Sequence, residues 1–313
     1  MRAAGIAVML CGCNAIFGLD RTHLSSDAPA QVVDGAAPDA HAFDANPDDL
    51  DGDGVTNAKD DCPNDFDPAQ ADEDGDTIGD ACDNCPELSN SDQKNEGEIK
   101  AGVTADAIGD ACDPNLAAGG DERVLFEPFN DPSRLTDWRT PLGTWMESGG
   151  ALHQLDNTSK ATLAYYDKAY QPTTITVLGK VESLGLGTNT AGAWIAMQPG
   201  TATDSAFPDG YLCEVVQTEP PQPTGAQAQV VAFSGGAAYG SNGGATNHSL
   251  LAGDIVAFYA QVASATPQVR CTPVVPGAAV GTSISDVKYL GGVVGLHTEY
   301  LGVAITSVTI YSR

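Results

Sequence analysis

Two twelve-residue stretches of this chain carry aspartate at alternating positions, and few folds tolerate so many like charges in so short a length. The first reads Asp49-Leu50-Asp51-Gly52-Asp53-Gly54-Val55-Thr56-Asn57-Ala58-Lys59-Asp60. Counting Asp49 as position 1, side-chain oxygens fall at 1, 3, 5, 9 and 12, on Asp49, Asp51, Asp53, Asn57 and Asp60. The Val55 carbonyl falls at position 7. The second stretch keeps this register with Asp72, Asp74, Asp76, Asp80 and Asp83, and with the Ile78 carbonyl at position 7. Alternate residues of a tightly curled chain point inward, so these oxygens converge. Packed carboxylates repel one another unless a cation lies among them. The spacing is that of a calcium loop, which offers about six to eight hard oxygens to the ion. Gly54 at position 6 permits the sharp turn. Thr77 holds that position in the second stretch, where a more strained turn is expected. The competing reading is a plain acidic linker.

A helix-flanked calcium hand is not expected, because Asp61-Cys62-Pro63-Asn64 follows the first loop and Pro63 stops a helix. The segment instead resembles thrombospondin type 3 repeats. The resemblance rests on Asp49 to Gly54, then Asp60-Asp61-Cys62-Pro63-Asn64, then Pro68-Ala69-Gln70-Ala71-Asp72-Glu73-Asp74-Gly75-Asp76, then Gly79-Asp80-Ala81-Cys82-Asp83, and it covers residues 48–114. It implies loops wrapped on Ca2+, with disulfides Cys62–Cys82 and Cys85–Cys112. Large apolar residues are few here (Leu50, Val55, Phe66, Ile78), so metal and disulfides must supply the stability. A third unit departs from the pattern. In the register of Asp110 and Asp113, positions 1 and 3 are Gly102 and Thr104, with only Asp106 at position 5. Residues Asn95 to Val103 read as an insertion, and Glu96 or Glu98 is the nearest replacement ligand.

Charge is uneven: 26 of the 42 acidic residues but only 5 of the 14 basic ones lie in the first 120 positions. Such a surface repels phosphate, so nucleic acid is excluded as a partner and cations are favoured. At the amino terminus, Arg2 precedes a short apolar run, Ala3 to Leu10, too short to span a bilayer. This reads as an export signal. Leu10-Cys11-Gly12-Cys13 resembles a bacterial lipobox, with Cys13 as the lipidated residue because small Gly12 precedes it. The alternative is an ordinary signal peptide cut elsewhere. Asn14, in place of aspartate, implies the outer membrane, and contact with the membrane is expected through the lipid only. The expected layout is signal peptide 1–12, disordered tether 13–47, repeats 48–114 and a β-sandwich 121–313. The tether is rich in Ala, Asp and Pro and has almost no large apolar side chains.

From Asp121 the texture changes to short alternating runs separated by Gly- and Pro-rich turns. Ile175, Val177 and Val181 fall on one face, with Thr174, Thr176, Lys180 and Glu182 on the other. Similar runs near Ala161–Tyr166, Gly192–Gln198, Tyr211–Gln217, Gln229–Phe233, Ile255–Val262 and Leu301–Tyr311 predict an antiparallel β-sandwich. The chain is therefore mainly β, with calcium-wrapped loops of little regular structure ahead of the sandwich. Two ends of this region, Phe129-Asn130-Asp131 through Gly149-Gly150-Ala151-Leu152 and Gly292 through Tyr311, look like concanavalin A-like (laminin G-like) jelly-roll domains. The resemblance implies that the first and last strands pair. Cys213 and Cys271 are expected to form a structural disulfide. A metal site or a nucleophile is the alternative, but neither Cys has a ligand-spaced His.

Relatives on such a fold include glycoside hydrolases, which need two carboxylates across the scissile bond. The nearest strand here, Tyr211 to Gln217, carries only Glu214. Gly240-Ser241-Asn242-Gly243 reads as a turn rather than a nucleophile elbow. His153 and His297 are expected to make ordinary polar contacts. Trp138, Trp145, Trp194, Tyr165 and Tyr166 are candidates for stacking on sugars, with core packing as the competing role. Three functions are compatible with this sequence. One is a calcium-binding, lipid-anchored surface protein whose lectin-like sandwich binds a carbohydrate or surface-protein ligand in adhesion. The second is a carbohydrate-active enzyme on the jelly-roll fold. The third is a structural envelope lipoprotein without a soluble ligand. The first, non-enzymatic reading is the expectation.

Overall fold

The computed structural model describes residues 46–312 except 159, 202–206, 219–224, 264–267 and 286–287. The expected signal peptide, Cys13 and all but the last two tether positions lie outside the described residues. The described residues belong to one compact unit, Ala45–Arg313. No helix among them is long and apolar enough to cross a membrane.

Residues 46–121 run as successive loops whose one regular element is a short helix, Gly97–Ala101. Leu50 and Phe66 are exposed here, whereas Cys62 and Cys85 are wholly buried. Beside these sulfurs the buried side chains include Ile108 and the carboxylates of Asp76, Asp83, Glu87 and Glu98, so the segment has little apolar core. Disulfides join Cys62 to Cys82 and Cys85 to Cys112. Two glycines make room for them. A Cβ on Gly79 would stand 2.8 Å from the Cys62 sulfur, and one on Gly109 would stand 2.9 Å from that of Cys85.

Two antiparallel sheets follow and form the sandwich. The larger runs, in spatial order, Ala278–Ala279, Gln268–Val275, Ile255–Ala263, Pro172–Leu184, Leu301–Ser312, Leu152–Gln154 and Trp145–Glu147, with Glu122–Glu127 and Thr282–Ile284 attached. The smaller runs Ala237–Ala245, Gln227–Ser234, Asp209–Gln217, Asn189–Gln198, Val293–Glu299, Thr162–Tyr166 and Trp138–Leu142. As expected, the first strand pairs with the last, Glu127 opposite Val308. Ile175, Val177 and Val181 are fully buried between the sheets, where strand alternation places them. The Cys213–Cys271 disulfide crosses this core from one sheet to the other.

The expected turn at Gly240 to Gly243 is instead part of an edge strand, with Gly243 opposite Gln229. The chain reverses earlier, at Gly235 and Gly236, whose φ angles of 63° and 75° suit a tight hairpin. An edge strand tolerates glycine, and at Gly243 a Cβ would approach the Ala228 carbonyl oxygen to 2.8 Å.

The outer face of the larger sheet is not left to solvent. Thr176, Thr309 and Tyr311 belong to it and are buried. The second half of the loop segment lies over them, and Glu87, Asp113 and Pro114 line a groove together with Thr174, Thr176 and Tyr259. Tyr311 Oη donates to the Glu87 carboxylate. Arg123 Nη1 donates to the Asp83 carbonyl oxygen at 3.2 Å.

Candidate metal centre

The two acidic loops are built alike. At position 1, Asp49 Oδ1 accepts from the Gly52 amide (2.9 Å) and Asp72 Oδ1 accepts from the Gly75 amide (2.8 Å). Their second oxygens accept from the position-6 amides, Gly54 at 3.3 Å and Thr77 at 3.0 Å. At position 9, Asn57 Oδ1 accepts from the Leu50 amide (2.9 Å) and Asp80 Oδ1 from the Glu73 amide (3.1 Å). These local bonds curl the chain so that alternate side chains share one interior. Thr77 adopts φ +81°, the left-handed conformation that Gly54 adopts at +98°. The expected strain at Thr77 is thus visible in the backbone.

The curl brings a carboxylate oxygen from each of Asp49, Asp51 and Asp53 within 4.8 Å of one another, and does the same for Asp72, Asp74 and Asp76. Asp51 Oδ2 and Asp74 Oδ2 are buried without a hydrogen-bond partner. Buried carboxylate oxygens without donors call for a hard cation or a proton to neutralise them. Burial, reinforced by the Asp76 and Asp83 charges, pushes the Asp74 carboxyl up to about 7. Burial likewise raises Asp80 to about 6. Such shifts express the cost of holding these anions together without a counter-charge.

The position-12 residues stand outside these triplets and are held by glutamine clamps. Gln70 Nε2 donates to Asp60 Oδ1 (3.0 Å), and Gln93 Nε2 donates to Asp83 Oδ1 (2.7 Å). Asp60 Oδ2 remains buried and unpartnered. The Asn57 side chain ties the loop together, donating through Nδ2 to the Pro47 carbonyl oxygen at 3.0 Å. The Val55 amide bonds to Asp53 Oδ1 (2.7 Å), and the Ile78 amide bonds to Asp76 Oδ1 (2.9 Å). Asp61, Cys62 and Asp67 also approach one another, but the disulfide consumes that sulfur and removes it as a ligand.

On the sandwich, the aromatic candidates divide. Trp138 packs against Phe129 and Tyr166 in the core. Trp194 is wholly buried on the other side of the smaller sheet, under Phe207 and Phe233. Trp145 and Tyr165 are half-buried. Core packing therefore accounts for Trp138 and Tyr166, and an aromatic cap accounts for Trp194.

That outer face of the smaller sheet also carries a polar row. Gln229, Glu214, Gly192 and His297 are register partners across four adjacent strands. Gln229 Nε2 donates to Glu214 Oε1 at 2.6 Å. Burial, with a contribution from the Glu299 charge, pushes Glu214 up to about 7. His297 Nδ1 lies 2.9 Å from the Thr162 carbonyl oxygen and donates to it. Its Nε2 is buried without a hydrogen bond, 3.8 Å from Glu299 Oε1, and burial lowers the ring to about 4. Glu299, two residues along from His297, shares this face. Sequence reasoning on the Tyr211 to Gln217 strand misses it, because it comes from a separate strand. His153 makes the ordinary contacts expected of it, with Glu182 Oε1 (3.0 Å) and the Ser148 carbonyl (2.9 Å).

No family model and no curated protein sequence matches the chain. Solved structures that align with it include carbohydrate binding module CBM66 from Bacillus subtilis, at 14% identity and a TM-score of 0.41, covering 55% of this chain and 93% of that one. A legume lectin-like domain from Entamoeba histolytica aligns at 11% identity and 0.44, covering 61% and 98%. The β-glucanase of Bacillus licheniformis aligns at 10% identity and 0.43, covering 63% and 100%.

Proposed function

We propose that this chain is a calcium-binding, lipid-anchored surface protein whose β-sandwich binds a carbohydrate or surface-protein ligand, without catalysis of its own. The observation that carries the calcium reading is the repeated loop: two identically braced carboxylate triplets, each with a buried oxygen that no donor meets. Calcium supplies the missing positive charge there. Asp49, Asp51 and Asp53 would hold one ion and Asp72, Asp74 and Asp76 another, with Val55, Asn57, Asp60, Ile78, Asp80 and Asp83 as the further ligands of the loop pattern. Cys13 carries the lipid in this reading and places the chain at the outer membrane.

Calcium titration of the metal-stripped, oxidised chain tests the first part. Saturable heat, together with protection of residues 48–114 from protease, is the expected result. Absence of both rejects the reading. A glycan array probed with and without calcium tests the ligand, and silence on it favours a structural envelope role. Cys13→Ala should free the protein from membranes, and continued retention would reject the anchor.

A second reading draws on the smaller sheet. Glu214, whose carboxyl burial raises to about 7, and Glu299 on the same face supply two carboxylates, the number that glycoside hydrolysis requires. Release of reducing sugar by the native chain, lost in Glu214→Gln, would favour it over simple binding.

A further inference from the structure

The third unit lacks the aspartates of positions 1 and 3, yet it keeps the bracing of the other two. Position 5 behaves alike throughout. Asp53 Oδ2 accepts from the Asp67 amide (3.2 Å), Asp76 Oδ2 from the Asn90 amide (2.6 Å), and Asp106 Oδ2 from the Gly120 and Asp121 amides (3.0 and 2.9 Å). Position 12 behaves alike too. Asp60, Asp83 and Asp113 each accept, through Oδ1, from the amide two residues on.

What differs is the source of the remaining charge. The extra residues fold into the helix Gly97–Ala101, and Glu98 on it is 0% exposed. A Glu98 carboxylate oxygen lies within 4.8 Å of oxygens from Asp106 and Asp113. Glu98 Oε2 is buried and meets no donor, and the same holds for Asp113 Oδ2 and for Asp121 Oδ1. Neighbouring lysines do not relieve it: Lys94 pairs with Asp92, and Lys100 pairs with Glu96 at 2.9 Å. A buried carboxylate beside two others is strongly unfavourable unless a cation compensates it.

We propose that Glu98, Asp106 and Asp113 form a third site for a hard divalent cation, with calcium as the species that suits an all-oxygen set. The inserted helix restores from outside the loop the charge that Gly102 and Thr104 cannot supply. Ile108 stands at position 7, where Val55 and Ile78 stand in the two loops. The proposal extends the calcium reading of the two loops but uses a residue from outside their pattern.

The test is isothermal titration of the full, oxidised, metal-stripped chain with calcium chloride, comparing the parent with Glu98→Gln and with Asp74→Asn. The expected result is a stoichiometry one lower in Glu98→Gln than in the parent, with Asp74→Asn losing a different site. Binding by the parent that Glu98→Gln leaves unchanged would overturn the third site while leaving the two loops standing. No binding by the parent would overturn both. Thermal unfolding guards against a folding defect. A ligand role predicts that Glu98→Gln unfolds at a higher temperature than the parent without calcium and gains less from calcium. Equal loss in both states would mark Glu98 as structural and overturn the proposal.

Discussion

Tyr311, near the end of the last strand, hydrogen-bonds through its hydroxyl to the carboxylate of Glu87, 224 residues earlier in the chain. This contact fastens the loop segment to the outer face of the larger sheet. Glu87 is buried, its carboxyl is raised by that burial, and its Oε2 has no partner. Tyr311→Phe removes the tyrosine donor from a buried carboxylate, at a cost of about 1–3 kcal/mol. Hydrogen exchange should rise in residues 84–114 before it rises in the strands at the centre of the sandwich. Exchange that stays unchanged in that segment would show that the contact does not hold it.

Thr77 offers a stabilising substitution. Its φ of +81° places a β-branched residue in the left-handed region. Space is not the obstacle: at the same position of the first loop, Gly54 with φ +98°, an added Cβ would meet nothing within 4 Å. Thr77→Gly removes a backbone penalty of about 1–2 kcal/mol and adds part of it back through unfolded-state entropy. A net gain of about 1 kcal/mol is expected as a higher thermal midpoint, with calcium and without. A lower midpoint would show that the threonine side chain contributes more than its backbone costs.

Glu214 and His297 set opposing pH dependences. The Glu214 carboxyl is raised to about 7, so its contribution is intact below its unfolded value near 4.5 and is lost as pH rises towards 7. The His297 ring is lowered to about 4, so its contribution is intact above 6.5 and is lost as pH falls towards 4. Between pH 4.5 and 6.5 the two slopes largely cancel. Glu214→Gln removes one of them, and the difference from the parent should grow by about 3 kcal/mol from pH 4.5 to 7. Urea unfolding of both proteins across that range measures it. A constant difference would mean that Glu214 ionises as an ordinary carboxylate.

The sequence is informative where the physics is local. Alternation places Asp72, Asp74 and Asp76 together because neighbouring residues curl the loop, and no distant contact is needed. Alternation also places Ile175 and Val177 in the core. It says nothing of what covers the opposite face, so burial of Thr176 and Tyr311 beneath the loop segment is not legible from period alone. Glu98 is a nameable replacement in the sequence. Its choice over Glu96 depends on a helix turning it inward, while Glu96 pairs with Lys100 at the surface. The glycines at 240 and 243 mislead for a related reason. Glycine marks a turn when only neighbours count, whereas here a partner strand claims the backbone.

Asp53 and Asp76 each bond through their second oxygen to an amide of the following unit, Asp67 and Asn90 respectively. One carboxylate therefore belongs to two modules at once. Disturbing an anion at the front of the series must shift the residues that shape its successor, so the units cannot respond as separate beads on a string. Loading or melting of one unit should therefore be felt by the next, while each keeps its own ion.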